Sequence, residues 1–161
     1  MAKKEIEKDE QEIEADHAEL RVYELGFHID PELGAEDAKK VYQGLRSKME
    51  AAGSIVAEGE PQKIPLAYTV SRGETGGRRD FDSSYFAWVA YEANGTGHEG
   101  VLTAARAETR VFRFLDIRTD KEAARHAAEM HAIMAQNAEK TDAGDEVSDV
   151  DIDAALKDVA I

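Results

Sequence analysis

Two aromatic-rich stretches dictate the layout of this chain. Residues 63–70 run Lys-Ile-Pro-Leu-Ala-Tyr-Thr-Val, and residues 85–91 run Tyr-Phe-Ala-Trp-Val-Ala-Tyr. Both carry β-branched and aromatic side chains at strand-like spacing, so they read as the arms of a hairpin. The connection, residues 71–84, holds Gly73, Gly76 and Gly77 and reads as a loop. A lone hairpin is marginal in water and needs a covering layer.

The flanking sequence offers that layer. Residues 20–29 form a first strand that places Arg21, Tyr23, Leu25, Phe27 and Ile29 on one face, with Glu24 and His28 on the other. Asp30-Pro31-Glu32 then opens a helix, with Asp30 as cap and Pro31 in the first turn. Its apolar stripe is Ala38, Val41, Tyr42, Leu45, Met49 and Ala52, and Gly53 stops it. A second strand covers residues 54–60 and resumes near Lys63. Pro61 and Pro65 cannot donate to a ladder, which assigns that strand to a sheet edge or a bulge.

The third strand runs over residues 85–93. Thr96 and Glu99 then fit a capping box before a short helix with Val101, Leu102 and Ala105. The fourth strand is residues 110–118. Strand, helix, strand, strand, helix, strand is the split βαβ plan. The expected fold class is α+β: a ferredoxin-like βαββαβ two-layer sandwich on a four-stranded antiparallel sheet.

The ends differ from this body. The full chain of 161 residues has a net charge of -14, divided as -5 over residues 1–19, -2 over 20–118 and -7 over 119–161. The expected division is therefore a charged N-terminal arm (1–19), a nearly neutral domain (20–118) and an acidic, partly helical C-terminal extension (119–161). The arm reads as disordered in preference to a solvated helix. In the extension, residues 119–122 fit another capping box. An Ala-rich helix over 123–140 follows, with Ala127, Met130, Met134 and Ala138 as a weak stripe. Residues 141–146 read as a turn-like break, and Ser148 opens a short amphipathic piece with Ile152, Ala155, Leu156 and Val159.

Several chemistries find no support in the pattern. The chain has no Cys, hence no disulfide framework, thiol catalysis or Cys-based zinc site. No apolar run reads as a signal peptide or a bilayer span. Asp149, Asp151 and Asp153 mimic the start of a calcium loop. Ala154 and Ala160, however, stand where the loop needs Gly and a bidentate acid, so an acidic helix start is the better reading. His126 and His131 are five apart and fall on different helix faces. No metal and no cofactor are expected. Acylphosphatases share the fold plan, but the turn after the first strand, Ile29-Asp30-Pro31, lacks their phosphate-cradling Arg.

Bulk acidity opposes non-specific nucleic-acid binding, yet the body clusters its cations. Lys63, Arg72, Arg78 and Arg79 flank or occupy the hairpin connection, and Arg110, Arg113 and Arg118 lie on the last strand. Phosphate contact and ordinary solvation account for them about equally well. Phe86 and Trp88 alternate with Ala87, Val89 and Tyr91. If helices cover the second set, Phe86 and Trp88 face the open side, where they can stack on a base or anchor a partner. Alternatively the C-terminal helix lies over them.

The residues carry a family resemblance. Arg21-Val22-Tyr23-Glu24, Leu66-Ala67-Tyr68-Thr69-Val70, Tyr85-Phe86-Ala87-Trp88 and Val111-Phe112-Arg113-Phe114-Leu115 resemble, in order and spacing, the bacterial small-subunit ribosomal protein S-six family over about residues 20–118. The resemblance implies a cytoplasmic, ribosome-bound, non-catalytic protein. It would bind small-subunit rRNA together with the small basic ribosomal protein S-eighteen. The expected RNA contacts are Arg21, Lys63, Arg72, Arg78, Arg79, Arg113 and Arg118, with Phe86 and Trp88 stacking on RNA or partner. Of the basic residues common just before Leu-Ala-Tyr in that family, Lys63 fits, while Ile64 and Pro65 depart. Two other readings compete: a stand-alone RNA-recognition domain, which Phe86 to Tyr91 partly fits, and a ferredoxin-like ligand-sensing or dimerisation module.

Overall fold

A computed structural model describes residues 18–142, with side chains through residue 137. The charged arm, most of the break at 141–146 and the 148–161 piece with its calcium-loop mimic lie outside the described residues. The elements are β1 (Arg21–Ile29), α1 (Ala35–Ala52), β2 (Gly53–Glu74), β3 (Gly77–Ala93), α2 (Gly95–Ala107), β4 (Val111–Thr119) and α3 (Lys121–Asp142). The chain divides into two units, Met1–Arg125 and His126–Ile161.

In the first unit the sheet order is β2-β3-β1-β4, and every neighbouring pair is antiparallel. This is the expected ferredoxin-like βαββαβ sandwich. One sheet face meets the helices. Tyr23, Leu25, Phe27 and Ile29 of β1 and Ala87, Val89 and Tyr91 of β3 pack there with Val41, Leu45 and Met49 of α1 and Val101 and Ala105 of α2. The strand period of two and the helix stripe read from the sequence are therefore the core itself.

The helix starts differ from expectation. Asp30 does not cap α1; its Oδ1 accepts the Glu32 amide at 2.9 Å, closing a turn, and the helix begins at Ala35. Asn94, not Thr96, caps α2, accepting the Gly97 amide at 2.8 Å. Asp120, not Thr119, caps α3, accepting the Ala123 amide at 2.8 Å. At α2 and α3 a carboxamide or carboxylate oxygen holds the capping position where a threonine hydroxyl was expected, while Gly34 stands at the start of α1 without a side-chain cap. Helix α3 also continues through Thr141 and Asp142, into the expected break. In the second unit, Met130, Ile133 and Met134 are exposed, so the weak Met stripe faces solvent.

The hairpin is the largest departure. Residues 71–84 are ladder instead of loop. Arg72 pairs with Arg79 and Glu74 with Gly77, leaving Thr75-Gly76 as a two-residue turn before Gly77 at φ +130. Because β1 pairs with β3 only over residues 85–93, the distal half of the hairpin overhangs the sheet. It is pinned from the side. Arg79 clamps the Asp30 carboxylate at 2.6 and 2.7 Å while lying 4.6 Å from the centre of the Phe81 ring. Arg72 sits 5.6 Å from the same ring and donates to the Thr109 carbonyl at 2.9 Å. Phe81 itself stacks on Phe112 at 4.0 Å and is buried. An apolar ring between two guanidiniums thus holds the overhang against the start of β4.

As the prolines implied, β2 is an edge strand, and it is irregular. Its register slips at Ile55/Ala57, at Gly59/Gln62 and at Pro65/Val70. At the second slip, Gly59 meets the indole of Trp88. A Cβ there would stand 2.2 Å from Nε1, so only glycine admits the ring.

Two outcomes follow for stability. Burial alone would raise the Asp30 carboxyl, but the Arg79 hydrogen bonds and charge outweigh it and hold its pKa below the ordinary value. Such a carboxylate stabilises the fold above its unfolded pKa of about 4 and loses that contribution as pH falls through the lower folded value. Asp30→Asn is expected to cost about 1–2 kcal/mol at neutral pH and to flatten the acid limb of denaturation profiles. Gly59→Ala is expected to cost about 1–3 kcal/mol by overpacking. It should also red-shift the emission of Trp88, the one Trp in the chain, as read by fluorescence-monitored urea unfolding.

Candidate nucleic-acid and partner interface

The open face of the sheet is not flat. Between the pairs Pro65–Ser83 and Val70–Phe81, four residues of β2 (66–69) oppose Asp82 alone. The excess is thrown over the face as an arch, anchored by Thr69 Oγ1 donating to Asp82 at 2.5 Å. From its crest Tyr68 reaches Arg113 on β4, which donates to the Tyr68 hydroxyl at 2.6 Å and lies 5.7 Å from the ring centre. Strands β2 and β4 are opposite edges, three strand spacings or about 14 Å apart, so this contact spans the sheet. Beneath the arch lies a groove of about 500 Å³, lined by Gly26, His28, Leu66, Phe86, Leu115 and Ile117 among others.

The expected site residues do not share one surface. Arg72 and Arg79 are committed internally, to Glu74 at 2.6 Å and to Asp30 and Glu32 at 2.6–3.0 Å. What was expected to be a loop is ladder here, and their charges hold it. Arg21 pairs with Glu19 at 3.0 Å. Arg78 is exposed, bonding Ser71 at 2.7 Å and Asp80 only at 3.4 Å. Lys63 is exposed beside the Tyr85 ring, 5.6 Å from its centre. Arg118 is exposed and makes no ion pair among the described residues. Among the described residues, Arg113 meets the Tyr68 phenol and no carboxylate.

Of the two aromatics, Phe86 is half-buried in the groove, 5.1 Å from His28. Trp88 is covered where an open aromatic face was expected. It does lie off the helix-side core, but only 6% of it is exposed because its ring seats on Gly59. Tyr68, Leu115, Ile117 and His28 also shape the open face; the sequence placed His28 off the core face and Tyr68 and Leu115 within motifs, but named none of the four as site residues. Their one signal is Pro65 breaking the strand alternation ahead of an exposed Tyr.

Two histidines sit in the body. His28 Nδ1 is 2.7 Å from the buried Ser84 hydroxyl, and burial, then the nearby Arg113 charge, lowers its pKa. His98 Nε2 lies 2.9 Å from Asp116, and its Nδ1 lies 2.7 Å from the Tyr91 hydroxyl. With Asp116 as acceptor, Nδ1 is left to accept from the phenol, and the imidazole stacks 3.5 Å from Tyr23. Burial raises the Asp116 and Tyr91 pKa values. This chain ties α2 to three strands, and it has no nucleophile at its end. Among the described residues no group of His, Asp and Glu could hold a metal ion, and no helix is long and apolar enough to cross a membrane.

Comparison with known proteins agrees with the strand motifs. No family model matches the chain. The small ribosomal subunit protein bS6 of Porphyromonas gingivalis is 27% identical over 122 residues, which cover 75% of this chain and 97% of that protein. Over that length the chain is thus similar to a bacterial S-six protein. A crystal structure of 30S ribosomal protein S6 from Thermotoga maritima is similar at a TM-score of 0.49 and 17% identity. The match covers 73% of this chain and 99% of that one. Within the S-six frame, the Leu66-Ala67-Tyr68-Thr69 motif is the arch itself.

Proposed function

We propose that this chain is a structural component of the small ribosomal subunit, where it binds small-subunit rRNA together with the small basic protein S-eighteen. The reading places the protein on cytoplasmic ribosomes and includes no catalytic step. The observation that carries it is the family relationship over nearly the whole of a small ribosomal subunit protein. The charge geometry supports it. After internal pairing, Lys63, Arg78 and Arg118 remain as exposed cations with weak or no acidic partners among the described residues. These three, more than Arg72 and Arg79, are the candidate phosphate contacts. A basic partner offsets the net charge of -14 that opposes RNA.

The stand-alone RNA-recognition reading loses its main support with Trp88. That module stacks bases on open-face aromatics of its third strand, and here the Trp is buried and the arch roofs the face.

Combined reversal of Lys63, Arg78 and Arg118 to Glu tests the proposal. The wild-type protein is expected to co-sediment with small subunits through a high-salt wash, and the triple variant to be released at lower salt. Each lost phosphate contact should shallow the salt dependence by about 0.7–0.9 in log–log slope. A wild-type protein that stays in the soluble fraction, or a variant retained equally at every salt concentration, contradicts the assignment. Reversing Arg72 or Arg79 would unpin the hairpin and confound the result.

A further inference from the structure

Helix α3 carries an apolar stripe that meets solvent. Met130, Ile133 and Met134 fall at i, i+3 and i+4 on one side of the helix, and are 40%, 51% and 61% exposed. Large apolar side chains grouped in this way on a helix mark a contact surface. The same spacing recurs past the described residues, where Ile152, Ala155, Leu156 and Val159 fall at i, i+3, i+4 and i+7. A helix cannot bury its own stripe, and a short helix is marginal in water without a packed face.

Length and charge match the two stripes to each other. Helix α3 ends at Asp142, so Met130 lies about 18 Å back from its end. A helix over residues 148–160 has the same rise, about 18 Å. Residues 143–147 remain as the connection, a length that joins antiparallel helices, and Gly144 suits the helix stop. With the chain reversed near residue 145, position 156 comes level with 134 and position 160 with 130. Charge favours this occupant over a second copy. Residues 145–158 carry six acids against Lys157, and the whole chain stands at -14, so two copies repel. Between residues 125 and 140, by contrast, Arg125 and Lys140 balance Glu129 and Glu139. The short connection also holds the stripes at about millimolar effective concentration, which favours the attached segment over a separate molecule.

We propose that residues 148–160 fold back on α3 as an antiparallel helix, seating Ile152, Leu156 and Val159 against Met130, Ile133 and Met134. The acidic extension is then a helical hairpin with an apolar seam, whose acids Asp149, Asp151, Asp153 and Asp158 fall beside or opposite the seam. The inference concerns α3 and the segment after it alone, so it stands or falls separately from the ribosomal assignment.

The test is paramagnetic broadening of methionine methyl signals in the full chain, free of any partner. The chain has no Cys and four Met, so Lys157→Cys or Asp149→Cys gives a single site for a nitroxide, and Met130 and Met134 are read against Met1 and Met49. A fold-back places position 157 level with 133 and position 149 level with 141. The label at 157 is therefore expected to broaden Met130 and Met134 more than the label at 149 does. A free or straight chain gives the opposite order, because 149 is nearer in sequence. Adding Leu156→Asp to the chain labelled at 157 is expected to cut the relaxation enhancement at Met134 at least about tenfold. The separation then grows from about 10 Å between helix axes to roughly 26 Å for a free chain of that span, and the effect falls with its sixth power. Leu156→Asp lies outside α3 and the sheet, and an unchanged Met49 signal verifies that the body is folded. Stronger broadening from 149 than from 157, no broadening of Met130 and Met134, or an enhancement that Leu156→Asp leaves unchanged would each overturn the proposal. So would broadening of carbon-13-labelled chains by separate nitroxide-labelled chains mixed with them, which would give the stripe to a second copy.

Discussion

The guanidinium of Arg79 lies between the Asp30 carboxylate and the Phe81 ring, and much of the open face depends on that placement. The β2–β3 hairpin is far longer than the strand it is built on. Its distal half gains nothing from β1 and would be left as a two-stranded ribbon, which is marginal in water. Docking Phe81 on Phe112, with Arg72 reaching the Thr109 carbonyl, converts the overhang into part of the body. Only with the distal ladder fixed do Pro65 and Val70 have fixed partners, so that residues 66–69 must leave the ladder. The arch, the Tyr68–Arg113 contact and the groove are consequences of that constraint.

This changes how an acidic chain can carry a cationic surface. Counting Lys and Arg along the hairpin suggests a basic loop, but the structure spends half of those charges on its own acids. Arg72 and Arg79 are structural, held by Glu74, Asp30 and Glu32. Lys63, Arg78 and Arg118 are left to face outward, and Arg113 stands over the groove. An electrostatic footprint is therefore set by which cations lack carboxylates nearby, and not by net charge or local density.

The core was legible because it obeys simple periods. Tyr23, Leu25, Phe27 and Ile29 alternate, the α1 stripe repeats every three or four residues, and the prolines of β2 marked an edge. The hairpin connection was not legible. Gly73, Gly76 and Gly77 signal a turn, but only Gly77 supplies the positive φ that it needs, and the residues around them are held by contacts with sequence-distant Asp30, Thr109 and Phe112. Caps were misplaced by one or two residues because Asn94 and Asp120 stand beside the Thr residues that also fit a capping pattern. Trp88 read as an open-face aromatic, which it is by parity; Gly59 on the neighbouring strand buries it, and nothing within β3 announces that. The interface was half visible: the motif residues 66–69 were noted as sequence, while their role as an arch depends on a register that only the paired strands define.

Backbone hydrogen–deuterium exchange over the hairpin tests this account most directly. If the Arg79–Phe81–Arg72 cluster pins the overhang, the cross-strand amides between residues 70 and 81 are expected to exchange far more slowly than the Thr75-Gly76 turn, approaching the rate of the β1–β3 ladder. Exchange of residues 70–81 at the rate of an unstructured loop, with β1 and β3 protected, would contradict it.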